Sequence, residues 1–267
     1  MENLNGKVAF ITGGASGIGF AMANSFMAEG VKVVLADIEI DALQKAVKDL
    51  LALGAEVIGV ECDVADSESV ASAAEKTIDA FGKVHILCNN AGVAPSGALD
   101  ETTPLDWEWG LGVNLMGVVH GIQSFVPKIK AGGEGGHVVN TASIAGLMAL
   151  PTLGIYAATK YAVVGISEIL RGEVAADEIG VSVLCPSFVK TRLAEGARNR
   201  PVELSEGSDE PDAFITQMVA VGAEPEAIGE RVVRSVKRGD FYILPHDDVK
   251  AGVEARMNEI LEAFDLE

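Results

Sequence analysis

Val8-Ala-Phe-Ile-Thr12-Gly-Gly-Ala-Ser-Gly-Ile-Gly19 joins an apolar, β-rich run to a glycine-rich turn, and an apolar-periodic segment follows as far as Gly30. Strand, glycine turn and helix in that order predict the opening of a dinucleotide-binding βαβ unit. Gly13 would permit the tight turn, Gly17 would let the backbone approach a pyrophosphate, and Gly19 would allow close packing of helix on strand. A phosphate would then sit at a helix N-terminus, where free N–H groups and the positive end of the dipole favour anions.

Outward from this stretch, short apolar runs alternate with helix-length segments. The runs are Val8 to Ile11, Val31 to Leu35, Val57 to Val60, His85 to Cys88, His137 to Val139, Val181 to Leu184 and Phe241 to Leu244. Each is apolar on consecutive positions, as a strand buried on both faces should be. Helices are expected at Asp41 to Leu53 before Gly54, Ser67 to Phe81 before Gly82, and Tyr156 to Ile179 before Gly180. Pro225 at a first turn opens another that runs to about Lys237. The expected fold is α/β: one doubly wound Rossmann domain over 1–267, a seven-stranded parallel sheet with helices on both faces. Residues 192–212 are polar, carry Pro201 and Pro211 and show no period, which suits a substrate lid or a disordered insertion. Residues 247–265 read as an acidic, amphipathic surface helix.

Composition narrows the function. The chain has 267 residues, is 49 % apolar and carries a net charge of −19, so it has material for a core and a field that repels nucleic acid and anionic membranes. No export signal is expected at the N-terminus, where the apolar run before Thr12 is short. The uncharged stretch Gly135 to Thr159 contains His137, Asn140, Ser143 and Tyr156, and reads as a buried strand plus a polar site rather than a membrane span. Cys62, Cys88 and Cys185 form no CxxC pair and suit reduced thiols in a cytoplasmic chain. His85, His120, His137 and His246 are scattered, so no metal site is expected.

Asp37 ends the second apolar run, eighteen residues after Gly19, close to the ~20 expected for an acid that bonds the adenine ribose hydroxyls. Its carboxylate would repel a 2′-phosphate, and no Arg or Lys stands within the glycine turn or directly after Asp37, which favours NAD over NADP. A plain turn cap is the alternative role for Asp37. Tyr156 and Lys160 are four apart and share one helical face, with Ser143 thirteen residues upstream after a buried run. Oxidising a carbinol requires a base beside the oxygen, and a nearby ammonium lowers the ordinary tyrosine pKa of ~10 towards neutrality. Ser143 would hold the substrate oxygen by a neutral hydrogen bond. The bland alternative makes Ser143 a loop cap, Tyr156 core, and Lys160 and Asn114 helix-surface residues.

Together Thr12 to Gly19, Asp63-Val64, Asn89-Asn-Ala-Gly92, Asn114, Ser143, Tyr156-x-x-x-Lys160 and Pro186-Ser-Phe-Val-Lys-Thr191 resemble the short-chain dehydrogenase/reductase family from Lys7 to about Leu244. The resemblance implies that Asp63 and Val64 hold the adenine, that Asn90 helps seat the cofactor, and that Val189 and Thr191 hold the nicotinamide amide. Gly13, Ser16, Gly17, Ile18, Asp37, Ala91, Gly92, Tyr156, Lys160 and Pro186 complete the implied cofactor contacts. Asn114 is implied to position a water linked to Lys160, which itself would bond the nicotinamide ribose. Ser187 departs from the pattern, because the family usually has Gly after the proline.

The side chains expected around the nicotinamide, Val93, Ala94, Ile144, Leu147, Leu153 and Phe188, are apolar and offer no cation for a sugar phosphate. Asn114-Leu-Met-Gly-Val-Val-His-Gly121, Val181-Ser-Val-Leu-Cys-Pro186 and Tyr242-Ile-Leu-Pro245 look like bacterial members that oxidise benzylic carbinols of lignin-derived aryl ethers. The expected substrate is therefore a small apolar secondary alcohol, aryl or alicyclic, or its ketone. A 3-oxoacyl or other ketone reductase is the enzymatic alternative, told apart by cofactor preference and by activity on acyl thioesters. A dinucleotide-binding sensor or scaffold without turnover is the other; an intact Ser143, Tyr156, Lys160 and Asn114 set argues against it. The resemblance also implies a homodimer or homotetramer built through Asn114 to Lys130 and Tyr156 to Ile179.

Overall fold

The computed structural model describes residues 1–205 and 213–264. Val8–Thr12 (β1), Lys32–Asp37 (β2), Val57–Glu61 (β3), Ile86–Asn89 (β4), Gly136–Thr141 (β5), Ile179–Leu184 (β6) and Tyr242–Ile243 (β7) form one seven-stranded sheet, ordered β3-β2-β1-β4-β5-β6-β7. Every neighbouring pair is parallel. The helices are Gly17–Ala28 (α1), Ile40–Ala52 (α2), Ser67–Phe81 (α3), Pro104–Leu111 (α4), Gly117–Gly132 (α5), Gly154–Glu173 (α6), Ala213–Ala220 (α7), Pro225–Arg238 (α8) and Lys250–Glu262 (α9).

The consecutive apolar residues of β1 serve both faces because successive side chains point to opposite sides. Ala9 and Ile11 pack with Met22 and Phe26 of α1, Leu50 of α2 and Val232 of α8. Val8 and Phe10 pack on the other face with Val70 of α3, Phe125 of α5 and Leu170 of α6. The rings of Phe10 and Phe125 lie 4.1 Å apart between centroids, and burying each contributes about 1.5–3 kcal/mol.

Strand order reverses between β1 and β4, so the helices that follow these strands leave on opposite faces and a crevice opens beyond their carboxyl ends. Gly13 and Asn90, each just past one of these strands, meet there, with Asn90 Nδ2 donating to the Thr12 carbonyl at 3.0 Å.

Several expected boundaries move. The helix foreseen from Tyr156 to Ile179 ends at Glu173, a 3-10 turn spans Ala175–Asp177, and Glu178 takes the left-handed conformation at φ 56°. Gly180 is therefore no cap: it lies within β6, where an added Cβ would stand 2.4 Å from His137 Nδ1. The implied helix from Asn114 to Lys130 is interrupted at its start, since Gly112–Met116 winds as a π-helix before α5. The last strand contracts to Tyr242–Ile243. In the polar region foreseen at 192–212, 3-10 turns span Leu193–Asn199 and Val202–Leu204, while 206–212 lie outside the described residues. The expected terminal helix is α9, none of whose residues is buried; position 265 lies outside the described residues. Among the described residues, no helix is long and apolar enough to cross a membrane.

Candidate active site

The crevice continues into a cleft of about 420 Å3. Its floor at one end is the glycine turn. Gly13 and Gly17 have φ of 61° and 52°, values that L side chains rarely adopt. Gly19 has no room for a side chain: a Cβ would lie 2.1 Å from the Gly13 carbonyl oxygen. The Ser16 side chain makes no capping bond at the start of α1, and no acidic residue stands in that first turn, so the amides there remain available to an anion. Ser16, Ile18, Asp63, Val64, Ala91 and Gly92 also line this end. Asp37 at the end of β2 accepts from Ala15 N on one carboxylate oxygen and from Glu39 N on the other, both at 3.0 Å, which fixes its direction at the rim. It does cap a turn, as the alternative reading had it, while lining the cleft as well. The turn, the uncapped amides and the carboxylate fit a dinucleotide.

At the other end of the cleft, Ser143 follows β5 and Tyr156 and Lys160 project from the start of α6. Lys160 Nζ donates to the Thr141 carbonyl at 3.0 Å and lies 5.5 Å from the centroid of the Tyr156 ring. Lys160 is only 3 % exposed, and burial pushes its pKa from 10.5 down to about 8. Burial raises the Tyr156 pKa, while the neighbouring Ser143 hydroxyl acts in the opposite direction. Burial thus outweighs the lowering expected at the phenol. Ser143 Oγ also accepts from Ala145 N at 3.1 Å and caps the turn Ile144–Gly146.

Asn114 lies in the π-helical turn and is fully buried behind the cleft. Its Oδ1 accepts from Val93 N at 2.8 Å, and its Nδ2 donates to the Val93 carbonyl at 2.9 Å and to Thr159 Oγ1 at 3.2 Å. Gly92 presses between them: a Cβ there would stand 3.3 Å from Asn114 Oδ1 and 3.5 Å from Lys160 Nζ. The helix-surface alternative for Asn114 and Lys160 is thereby overturned, since both are buried.

Pro186, Val189 and Thr191 border the middle of the cleft. Of the apolar side chains foreseen beyond them, Val93, Ala94, Ile144, Leu153 and Phe188 line the wall. Leu147 does not. The turn Ile144–Gly146 carries it away to pack against Val118, Val163 and Val183. Trp109, Leu150, Leu204, Ile215 and Val219 take up the wall instead; α4 and α7, which hold three of them, are eight residues each, too short to show a clear period. Arg200, behind Trp109, stacks over its ring at 5.2 Å and pairs with Asp106 at 2.8 Å.

Two arrangements had no local signal in the sequence. Thr12 Oγ1 accepts from Asn90 N at 2.8 Å and from Ala91 N at 3.0 Å, fastening β1 to the Asn90 loop. At the rim, Glu39 accepts from Arg192 at 3.1 Å, from Asn199 at 3.0 Å and from Arg198. Burial opposes ionisation of Glu39, but the Arg198 and Asn199 hydrogen bonds and the arginine charges bring its pKa down to about 2. The segment after Thr191 is thus strapped across the cleft. His85 and His137 serve elsewhere: His85 Nδ1 accepts from Val8 N at 3.1 Å, and His137 Nε2 lies 2.8 Å from Ser182 Oγ. Among the described residues no three His, Cys, Asp or Glu side chains gather as a metal site would require.

A model of the short chain dehydrogenase family matches residues 7–201. A C alpha-dehydrogenase of Sphingobium sp. (strain NBRC 103272 / SYK-6) is 37% identical over 268 residues, covering 98% of this chain and 88% of that protein. A cyclohexanol dehydrogenase of Acinetobacter sp. (strain SE19) is 38% identical over 195 residues, covering 72% of this chain and 76% of that one. A crystal structure of a short chain dehydrogenase/reductase from Burkholderia phymatum in complex with NAD superposes with a TM-score of 0.95 at 40% identity, covering 98% of this chain and 97% of that one. The chain belongs to the short-chain dehydrogenase/reductase family and is an NAD(P)-dependent oxidoreductase acting on CH–OH donors.

Proposed function

We propose that the protein interconverts an apolar secondary alcohol, aryl or alicyclic, and its ketone, using NAD in preference to NADP. The observation that carries this is the convergence of Ser143, Tyr156 and a buried Lys160 in a cleft whose far wall is apolar. Bound NAD supplies the acceptor for the hydride that leaves the carbinol carbon. Gly13, Ser16, Gly17 and Ile18 hold its phosphates, Asp37 its adenosine ribose, Asp63 and Val64 its adenine. Asn90, Ala91, Gly92, Pro186, Val189 and Thr191 seat the remainder. Asp37 disfavours a 2′-phosphate by charge.

Ser143 Oγ holds the substrate oxygen, and Tyr156 Oη removes the hydroxyl proton as the C–H bond breaks. Burial raises the phenol pKa, and the Lys160 ammonium, 5.5 Å from the Tyr156 ring, favours the phenolate form that takes up the proton. Asn114 fixes the Val93 loop and the ground behind Lys160. The apolar wall at Ala94, Leu153, Phe188 and Trp109 selects substrates without charge, and the relatives named for Cα and cyclohexanol dehydrogenation accord with that choice. The segment 192–212, of which Arg192, Arg198 and Asn199 are bound to Glu39 at the rim, acts as the substrate lid of a single catalytic domain. The chain works in the cytoplasm, consistent with three free, buried cysteines. It assembles as a homodimer or homotetramer through the Asn114–Lys130 and Tyr156–Ile179 segments, which leave Met116 and Ile169 exposed in one chain.

The test is a panel of 1-phenylethanol, cyclohexanol, polyols and acyl thioesters, followed by absorbance of reduced nicotinamide with NAD and NADP. Turnover of the first two with NAD is expected. Activity confined to polyols or sugars, or to acyl thioesters, would refute the substrate class.

A further inference from the structure

One peptide unit, between Pro186 and Ser187, is gripped at both ends. Its carbonyl accepts from Ile144 N at 2.9 Å and lies 3.4 Å from Ser143 Oγ. Its N–H donates to His246 Nδ1 at 3.1 Å. The neighbouring segments are held by main chain: Cys185 N donates to the Ile243 carbonyl at 2.9 Å, Ala223 N to the Phe188 carbonyl at 3.0 Å, and Lys190 N to the Ala223 carbonyl at 2.9 Å. At Ser187 a side chain takes over, and it comes from three residues past the end of β7.

We propose that His246 is a positioning residue for Ser143, acting through the Pro186–Ser187 peptide. This rests on the reading of Ser143 as the group that holds the substrate oxygen. A peptide plane with both ends bonded cannot rotate without breaking one bond. Without the imidazole acceptor, the Ser187 N–H is left to find another partner. The plane can then tip, and the Ile144 amide and the Ser143 hydroxyl lose the carbonyl that fixes them. The bond requires a lone pair on Nδ1, so the ring proton of the neutral imidazole resides on Nε2. Burial lowers the His246 pKa and preserves this form, although Asp248 and the Phe188 main chain act in the opposite direction. His246 is absent from the cleft wall and touches no reacting atom.

His246→Asn and His246→Gln separate this role from simple packing. Asn places its carbonyl oxygen where Nδ1 stands, whereas the longer Gln places its own near Nε2 and leaves Ser187 N–H unpaired. Expected for His246→Gln is a fall in kcat of about tenfold or more, with the NAD Kd, read by fluorescence titration, within about twofold of wild type. His246→Asn should recover kcat to within about threefold. A loss below about threefold in His246→Gln, or an equal loss in His246→Asn, overturns the inference. His246→Ala serves the same comparison if the Gln variant does not fold. Ser143→Ala, assayed alongside, keeps the two readings distinct: normal turnover there defeats the role of Ser143 itself. An inactive Ser143→Ala beside a His246→Gln of full activity defeats only the role of His246.

Discussion

Lys160 illustrates a conflict between stability and chemistry, and Lys160→Met measures it. The ammonium is 3 % exposed and its pKa falls from 10.5 to about 8. At ~1.4 kcal/mol for each tenfold step in acidity, holding the charge in the fold costs about 3 kcal/mol below pH 8. Methionine occupies similar volume without the charge, but forfeits the bond to the Thr141 carbonyl, worth about 1 kcal/mol. A net gain of about 2 kcal/mol remains. With ~2 cal/mol/K of unfolding entropy per residue, this corresponds to a rise in Tm of about 4 °C at pH 7. The sign with pH follows from linkage: the folded pKa is depressed, so the penalty is full below 8 and disappears as pH rises from 8 to 10.5. Calorimetry of the purified protein should therefore show the variant melting higher at pH 7, the difference shrinking as pH rises from 8 towards 10.5 and then passing to wild type by about 1 kcal/mol, the worth of the lost Thr141 bond, while turnover is lost. A Tm at pH 7 equal to or below wild type, or a gap unchanged at high pH, would refute the reasoning.

Asp37→Ala is expected to weaken NAD and relax discrimination against NADP, read as the ratio of kcat/KM for the two cofactors; an unchanged ratio counts against the ribose role. Glu39→Gln removes the charge that holds Arg192, Arg198 and Asn199, so stopped-flow fluorescence should show NADH leaving several-fold faster. With its folded pKa depressed to about 2, Glu39 holds the strap fully above pH 4.5 and loses it only as pH falls through 2. Release rates that rise between pH 7 and 5 would oppose this. Asn114→Ala strands both main-chain groups of Val93 and should destabilise the protein by about 2–3 kcal/mol, checked by urea unfolding.

What was legible in the sequence is what repeats locally. Strands buried on both faces write themselves as unbroken apolar runs, so all seven could be found, and Gly54 and Gly82 mark helix ends through their positive φ. The end of α6 was misplaced because Glu178, not a glycine, takes the left-handed turn and Gly180 serves His137 instead. The glycine turn, Asp37 and the Ser143, Tyr156, Lys160 group lie in short segments with chemistry of their own, and all of them line one cleft. Leu147 failed as a wall residue because a three-residue turn decides its direction, which composition does not encode. The Glu39 strap and the His246 contact join residues 153 and 59 positions apart; tertiary contacts over such separations leave no trace in spacing. Burial of Lys160 was equally hidden, since a helix position gives no account of the loop that covers it.

The most direct test of the proposed chemistry compares wild type with Tyr156→Phe, which removes one oxygen and leaves the ring in its packing. Rates of NAD reduction with 1-phenylethanol are measured beside NAD binding. Turnover should fall by about a thousandfold or more, with the NAD Kd within about threefold. Retention of more than a few per cent of wild-type turnover would contradict a tyrosine base.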